Sequence, residues 1–202
     1  MILSQYLTGF ESLFPGISGL MPWQVPPALQ DLIYRLLPSL SADYVVRDWV
    51  AIHREATVEA GVVLKGPAII SAGCFVGAHA YLRGGVYLGP GCTVGPGCEI
   101  KTSLLMERAA LAHFNFVGDS LIGTRVNMEA GAVIANHYNE RTDKHIRVRL
   151  GGQLVETQCE KFGALVGDGC RIGANAVLSP GTILTPHTLV KRLELVEQEY
   201  AS

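Results

Sequence analysis

Between Ile52 and Met106 a large apolar residue recurs at every sixth position: Ile52, Val58, Leu64, Ile70, Val76, Leu82, Leu88, Val94, Ile100 and Met106. Four places after each stands a mostly small residue, among them Ala56, Ala68, Cys74, Ala80, Cys92 and Cys98. Turn formers such as Gly61, Pro67, Gly73, Gly85, Gly91 and Gly97 fall between them. Neither the 3.6 period of a helix nor the 2 of a strand produces a strict six. Six is the repeat of a parallel β-helix, in which each hexad is a short strand plus a corner. The pattern predicts an all-β fold, a single-stranded solenoid over residues 45–190 with three hexads to a triangular coil. Residues 18 apart then stack on one face at about 4.8 Å per step.

Residues 1–44 lack the hexad. Tyr6, Leu7, Phe10, Leu13 and Phe14 have helical spacing, and Pro15, Gly16, Gly19 and Pro22 break it. Pro26 and Pro27 open a second amphipathic run through Leu29, Leu32, Ile33, Leu36 and Leu37, closed by Pro38. Two short helices are expected, forming an N-terminal cap over the open end of the solenoid; the other reading is a docking arm. After Met106 the phase slips. The next apolar steps are Phe116, Ile122, Met128 and Ile134, and Met106 to Ile122 is two residues short of three hexads. Residues 136–161 leave the repeat as a polar, basic excursion, with a strand expected over 145–150 and a hairpin turn at Gly151-Gly152. The hexad resumes at Val166, Ile172, Leu178, Leu184 and Val190. The charged tail, 191–202, reads as a short helix or strand.

Composition narrows the class. Of 202 residues 49% are hydrophobic and 17% charged, which fits one sizeable core and not a disordered chain. The 23 glycines suit a corner-rich solenoid. A net charge of −2 gives no field that would draw the protein to nucleic acid or an anionic membrane. No apolar run approaches the roughly 20 residues of a spanning helix. The N-terminus lacks the basic region of a signal peptide, and a cytoplasmic location is expected. Cys74, Cys92, Cys98 and Cys170 fall on small hexad positions and read as buried hydrophobes; Cys159 reads as a free loop thiol.

Two features carry chemistry. Lys65, Arg83 and Lys101 each follow an apolar hexad residue at intervals of 18, so they form a ladder up one face. Stacked cations repel unless an anion or carboxylates sit among them; a phosphate suits Arg and Lys, and the plain alternative is a solvated charged face. His113, in Ala-His-Phe-Asn-Phe, sits in the phase slip, where either a structural or a catalytic histidine fits.

Three motifs then carry a resemblance: Gly-Asp-Ser-Leu-Ile-Gly-Thr-Arg-Val-Asn (118–127), Ala-Gly-Ala-Val-Ile-Ala-Asn (130–136) and Lys-Phe-Gly-Ala-Leu-Val-Gly-Asp (161–168). Together with the hexads they resemble the left-handed β-helix acyltransferases. Residues 83–190 resemble the acetyltransferase domain of bifunctional N-acetylglucosamine-1-phosphate uridyltransferases and, more closely, the archaeal-type sugar-1-phosphate nucleotidyltransferase/acetyltransferases. The resemblance implies left-handed coils, a homotrimer, acetyl-CoA as co-substrate, a sugar phosphate as the other substrate, and no metal. It places His113 as general base and the Ala130 backbone as oxyanion donor. Arg83, Lys101, Phe116, Asn127, Asn136, Lys144 and Arg147 become substrate ligands, and Ala174 a cofactor contact. An apolar face in need of cover also fits three-fold packing.

The sequence departs from that pattern at Phe116, where the family has Tyr, and at Glu129, where it has Gly; Glu129 is expected to oppose an anionic substrate or to pair with Arg125 or Lys101. No nucleotidyltransferase half is recognised in these residues. Two other classes stay open: acyl transfer to a sugar nucleotide from an acyl carrier protein, and a metal-dependent γ-type carbonic anhydrase or non-catalytic scaffold. The six histidines include no His-x-x-x-x-His pair of the anhydrase kind.

Overall fold

The computed structural model describes residues 3–17 and 19–200. Its core is a left-handed parallel β-helix of about eight turns. On the first face Val50 pairs with Ala68 and Ala68 with Val86; on the second Thr57 pairs with Phe75; on the third Tyr81 pairs with Glu99, all parallel and 18 residues apart. The second face is a separate 7-stranded sheet. The first and third join into one 13-stranded sheet, because strands Tyr81–Leu88 and Glu99–Leu105 run on around a corner. Inside, Val76, Leu82, Leu88, Val94 and Ile100 stack without solvent contact, which is the physical content of the hexad.

The phase slip turns out to be two coils of 17 residues. Arg83 pairs with Lys101, but Val86 pairs with Ser103, because Gly84-Gly85 on one coil faces Thr102 alone on the next. Thr102 (φ 47°) and Asp119 (φ 46°) turn this corner in the left-handed region that two glycines occupy one coil earlier. Leu105 therefore takes the inward place and pairs with Ile122, while Met106 turns out to a second core. Val117 likewise points inward, fully buried, where the sequence reading had put Phe116.

That second core corrects the placement of the N-terminal helices. The outward residues of the first face, Ala51, Ile69, Tyr87, Leu104, Leu121, Leu165 and Ile183, form an apolar row. Helices α1 (Phe10–Leu13) and α2 (Val25–Leu36) cover this flank, with α2 packed on strands Tyr81–Leu88 and Glu99–Leu105. They do not cap the end. There, strand Tyr44–Arg47 pairs antiparallel with Val50–His53, since a sheet edge needs backbone partners that a helix cannot give. The apolar face that needs cover, and so would suit three-fold packing, is thus covered by the chain itself.

The excursion covers the rest of the same flank through Tyr138, Ile146, Val148 and Phe162. Strands Arg147–Leu150 and Gln153–Glu156 pair across Gly151-Gly152, both at positive φ, as expected. Its neck is closed by the Phe162 N–H donating to the Asn136 carbonyl at 3.0 Å. The hexad runs one step beyond expectation, to strand Leu195–Val196, before a short 3-10 turn at Gln198–Tyr200.

Candidate functional site

The third face carries a cleft of about 260 Å³ lined by Arg83, Lys101, Phe116, Asn136, His137 and Lys161. Four of the expected ligands therefore meet. Strand register explains why: Tyr81, Glu99 and Phe116 form one outward row, and Arg83, Lys101 and Gly118 the next. The cation ladder exists, and carboxylates sit among its rungs. Arg83 reaches Glu99 at 2.7 Å, and Lys101 reaches Asp119 at 2.6 Å. Lys65 and Arg83 lie over the Tyr81 ring, 5.1 and 5.6 Å from its centre. Asp119 is buried and also accepts from the Asn136 amide. Asn136 in turn contacts His137 Nδ1 at 3.3 Å. A Cβ at Gly118 would stand 2.9 Å from both Asn136 Cγ and the Phe116 ring, so only glycine keeps this floor open. Three cations against two carboxylates leave the cleft with an excess positive charge, suited to an anion.

His137 and Lys161 escaped the sequence reading. They lie at opposite ends of the excursion and become neighbours only because its neck closes. The available signal was that Lys161 opens the Lys-Phe-Gly motif where the hexad resumes.

A second group lines the corner between the second and third faces. His113, Ala130 and Ala174 occupy successive rungs: the Gly131 N–H donates to the His113 carbonyl at 2.8 Å, and the Asn175 N–H to the Ala130 carbonyl at 3.0 Å. The His113 side chain is exposed. At this corner position Ala78 N–H donates to Glu59 at 2.7 Å and Ala174 N–H to Glu129 at 2.9 Å, while Pro96 has no N–H. Among the described residues the Ala130 N–H has no partner, which leaves it open to a developing negative charge. Ala174 is in the opposite position, its N–H already taken.

Glu129 pairs with neither Arg125 nor Lys101. Arg192 grips it through two bonds of 2.8 and 2.9 Å, and this guanidinium, with the Ala174 N–H, holds its carboxyl below the usual value. Asn127 is exposed on the second face, in a groove of about 300 Å³ with Glu129, Arg171, Leu189 and Arg192. Within one chain it does not meet the cleft. Lys144 and Arg147 do not reach the cleft either: Lys144 is exposed on the excursion, and Arg147 bonds Glu156 at 2.7 Å and Glu199 at 3.1 Å. Among the described residues no cluster of His, Cys, Asp and Glu could hold a metal, and no helix is long and apolar enough to cross a membrane. The thiols of Cys98 and Cys170 are pushed up by burial, away from nucleophilic use.

Known families match this architecture. The model of the GMPPB C-terminal domain matches residues 64–159, and that of the hexapeptide repeat of succinyl-transferase matches 162–184. A bifunctional sugar-1-phosphate nucleotidylyltransferase/acetyltransferase from Sulfurisphaera tokodaii is 31% identical over 79% of this chain and 41% of its own length. The bifunctional protein GlmU of Methanococcus vannielii is 30% identical over 88% of this chain and 43% of its own. Among solved structures, the acetyltransferase domain of PglB from Neisseria gonorrhoeae aligns over 74% of this chain and 58% of that one, with 20% identity and a TM-score of 0.44. The chain has the hexapeptide-repeat, left-handed β-helix fold. It spans about two fifths of the length of the two curated relatives named here.

Proposed function

We propose that the chain is an acetyltransferase that moves an acetyl group from acetyl-CoA to the amine of an amino-sugar phosphate, a hexosamine 1-phosphate or a nucleotide sugar. The observation that carries this reading is the cation-lined cleft on the third face, together with the solvent-exposed His113 and the unpartnered Ala130 N–H at the corner that leads into that face. The relatives' names, sugar-1-phosphate and acetyltransferase, point to the same substrate class.

Arg83, Lys101 and Lys161 hold the phosphate, and Phe116 covers the sugar face without the hydroxyl contact a tyrosine would make. His113 takes a proton from the amine, whose nitrogen then attacks the thioester carbonyl. The Ala130 N–H receives the developing oxyanion, and its collapse expels the CoA thiolate, which picks up a proton. Asn127 lies on another face of the solenoid, so it joins the site from a second copy, and a homotrimer that sets the second face of one copy against the third face of the next completes it.

The test is release of free CoA thiol with a panel of hexosamine 1-phosphates and UDP-hexosamines. His113→Ala is expected to lower turnover about 10² or more while the fold and assembly persist. Unchanged turnover removes His113 as the base. No thiol release with any acceptor from the folded protein overturns acetyl transfer.

A further inference from the structure

Before five neighbouring third-face strands, those opening at Tyr81, Glu99, Phe116, Val133 and Val177, stands a column of buried residues: Ala80, Cys98, Asn115, Ala132 and Ala176. Asn115 is the polar exception, 2% exposed, two residues from His113. Its Nδ2 donates to the His113 carbonyl at 3.4 Å and lies 3.9 Å from Cys98 Sγ. Its Oδ1 is, among the described residues, the buried side-chain polar atom with no hydrogen-bond partner. Turning the amide over would bring Oδ1 against the His113 carbonyl and repel it, so the observed orientation is the better one. An amide with one end unsatisfied destabilises a packed core. Alanine or cysteine, the residues above and below it, would remove that penalty.

We propose that Asn115 is a positioning residue for the acetyl transfer described above, on which this inference rests. The carbonyl it holds also accepts the Gly131 N–H at 2.8 Å. Asn115 thus fixes the corner that carries the imidazole against the Ala130–Gly131 peptide, which adjoins the one that carries the Ala130 N–H. It touches neither substrate; it sets the distance between the base and the oxyanion donor, where small displacements are costly.

Asn115→Ala and Asn115→Cys separate this from a packing role. Both are expected to raise the thermal midpoint or leave it unchanged, to lower kcat about tenfold, and to leave the KM of donor and acceptor within about twofold. Amide hydrogen exchange adds a readout independent of turnover: the Gly131 amide should exchange faster in both variants, while the Phe116 amide, bonded to Ala132, should not. Unaltered kcat, or unaltered Gly131 exchange, overturns the proposal. A fall in midpoint together with kcat overturns it too, because it assigns Asn115 to packing. Failure of the acetyl-transfer reading would appear separately, as a wild type that releases no thiol while the Gly131 exchange still responds.

Discussion

Two flanks of one solenoid share the same inward hexad and differ only in what points outward. On the first, the row Ala51, Ile69, Tyr87, Leu104, Leu121, Leu165 and Ile183 is apolar, and the chain covers it with α2 and the excursion. On the third, Tyr81, Arg83, Glu99, Lys101 and Phe116 are left half open around a cleft. The inward period builds the scaffold. The outward residues decide whether a face is closed by burial or kept for a ligand.

The largest expected effect tests the closed flank. Phe162 is fully buried and meets Trp23 edge-on, with ring centres 6.5 Å apart. Phe162→Ala should cost about 3–5 kcal/mol of unfolding free energy. Phe116→Ala, on the open flank, should cost below about 1 kcal/mol. Equal losses in a denaturant titration would erase the distinction between the two flanks.

The open flank is tested through binding. Lys101→Ala should raise the acceptor KM about tenfold, the equivalent of ~1.4 kcal/mol, with a smaller change in kcat. It should also flatten the salt dependence of that KM. An unaltered KM would mean that the ladder serves only Glu99 and Asp119.

Much of this was legible from the hexad, because a strict period constrains every inward residue at once. The 17-residue coils were not. Shortening a corner at Thr102 and Asp119 moves Leu105 inward in place of Met106, and either residue satisfies an apolar pattern. The helices were legible as helices, but their place on the flank depends on an outward row that a one-dimensional search for the core reads past. Arg83 and Lys101 were legible because 18-residue stacking still holds between them. Glu129 was not: its pairing with Arg192 requires knowing that 129 lies one rung above 173, a 44-residue register that includes the whole excursion.

That pair makes the smallest expected effect and refines the contrast at its edge. Glu129 titrates below its ordinary 4.5 in the folded chain, because Arg192 and the Ala174 N–H favour the carboxylate. A depressed folded value means that the contribution is fully present above the unfolded value and is lost as pH falls through the lower, folded one. Arg192→Ala should therefore lower the denaturation midpoint slightly near neutral pH, with the gap to wild type closing as the pH falls below the ordinary carboxylate value. The pair is exposed, so added salt should shrink the same gap. A gap that persists in acid would mean that Arg192 acts by packing over the Leu189 groove and not through the Glu129 charge.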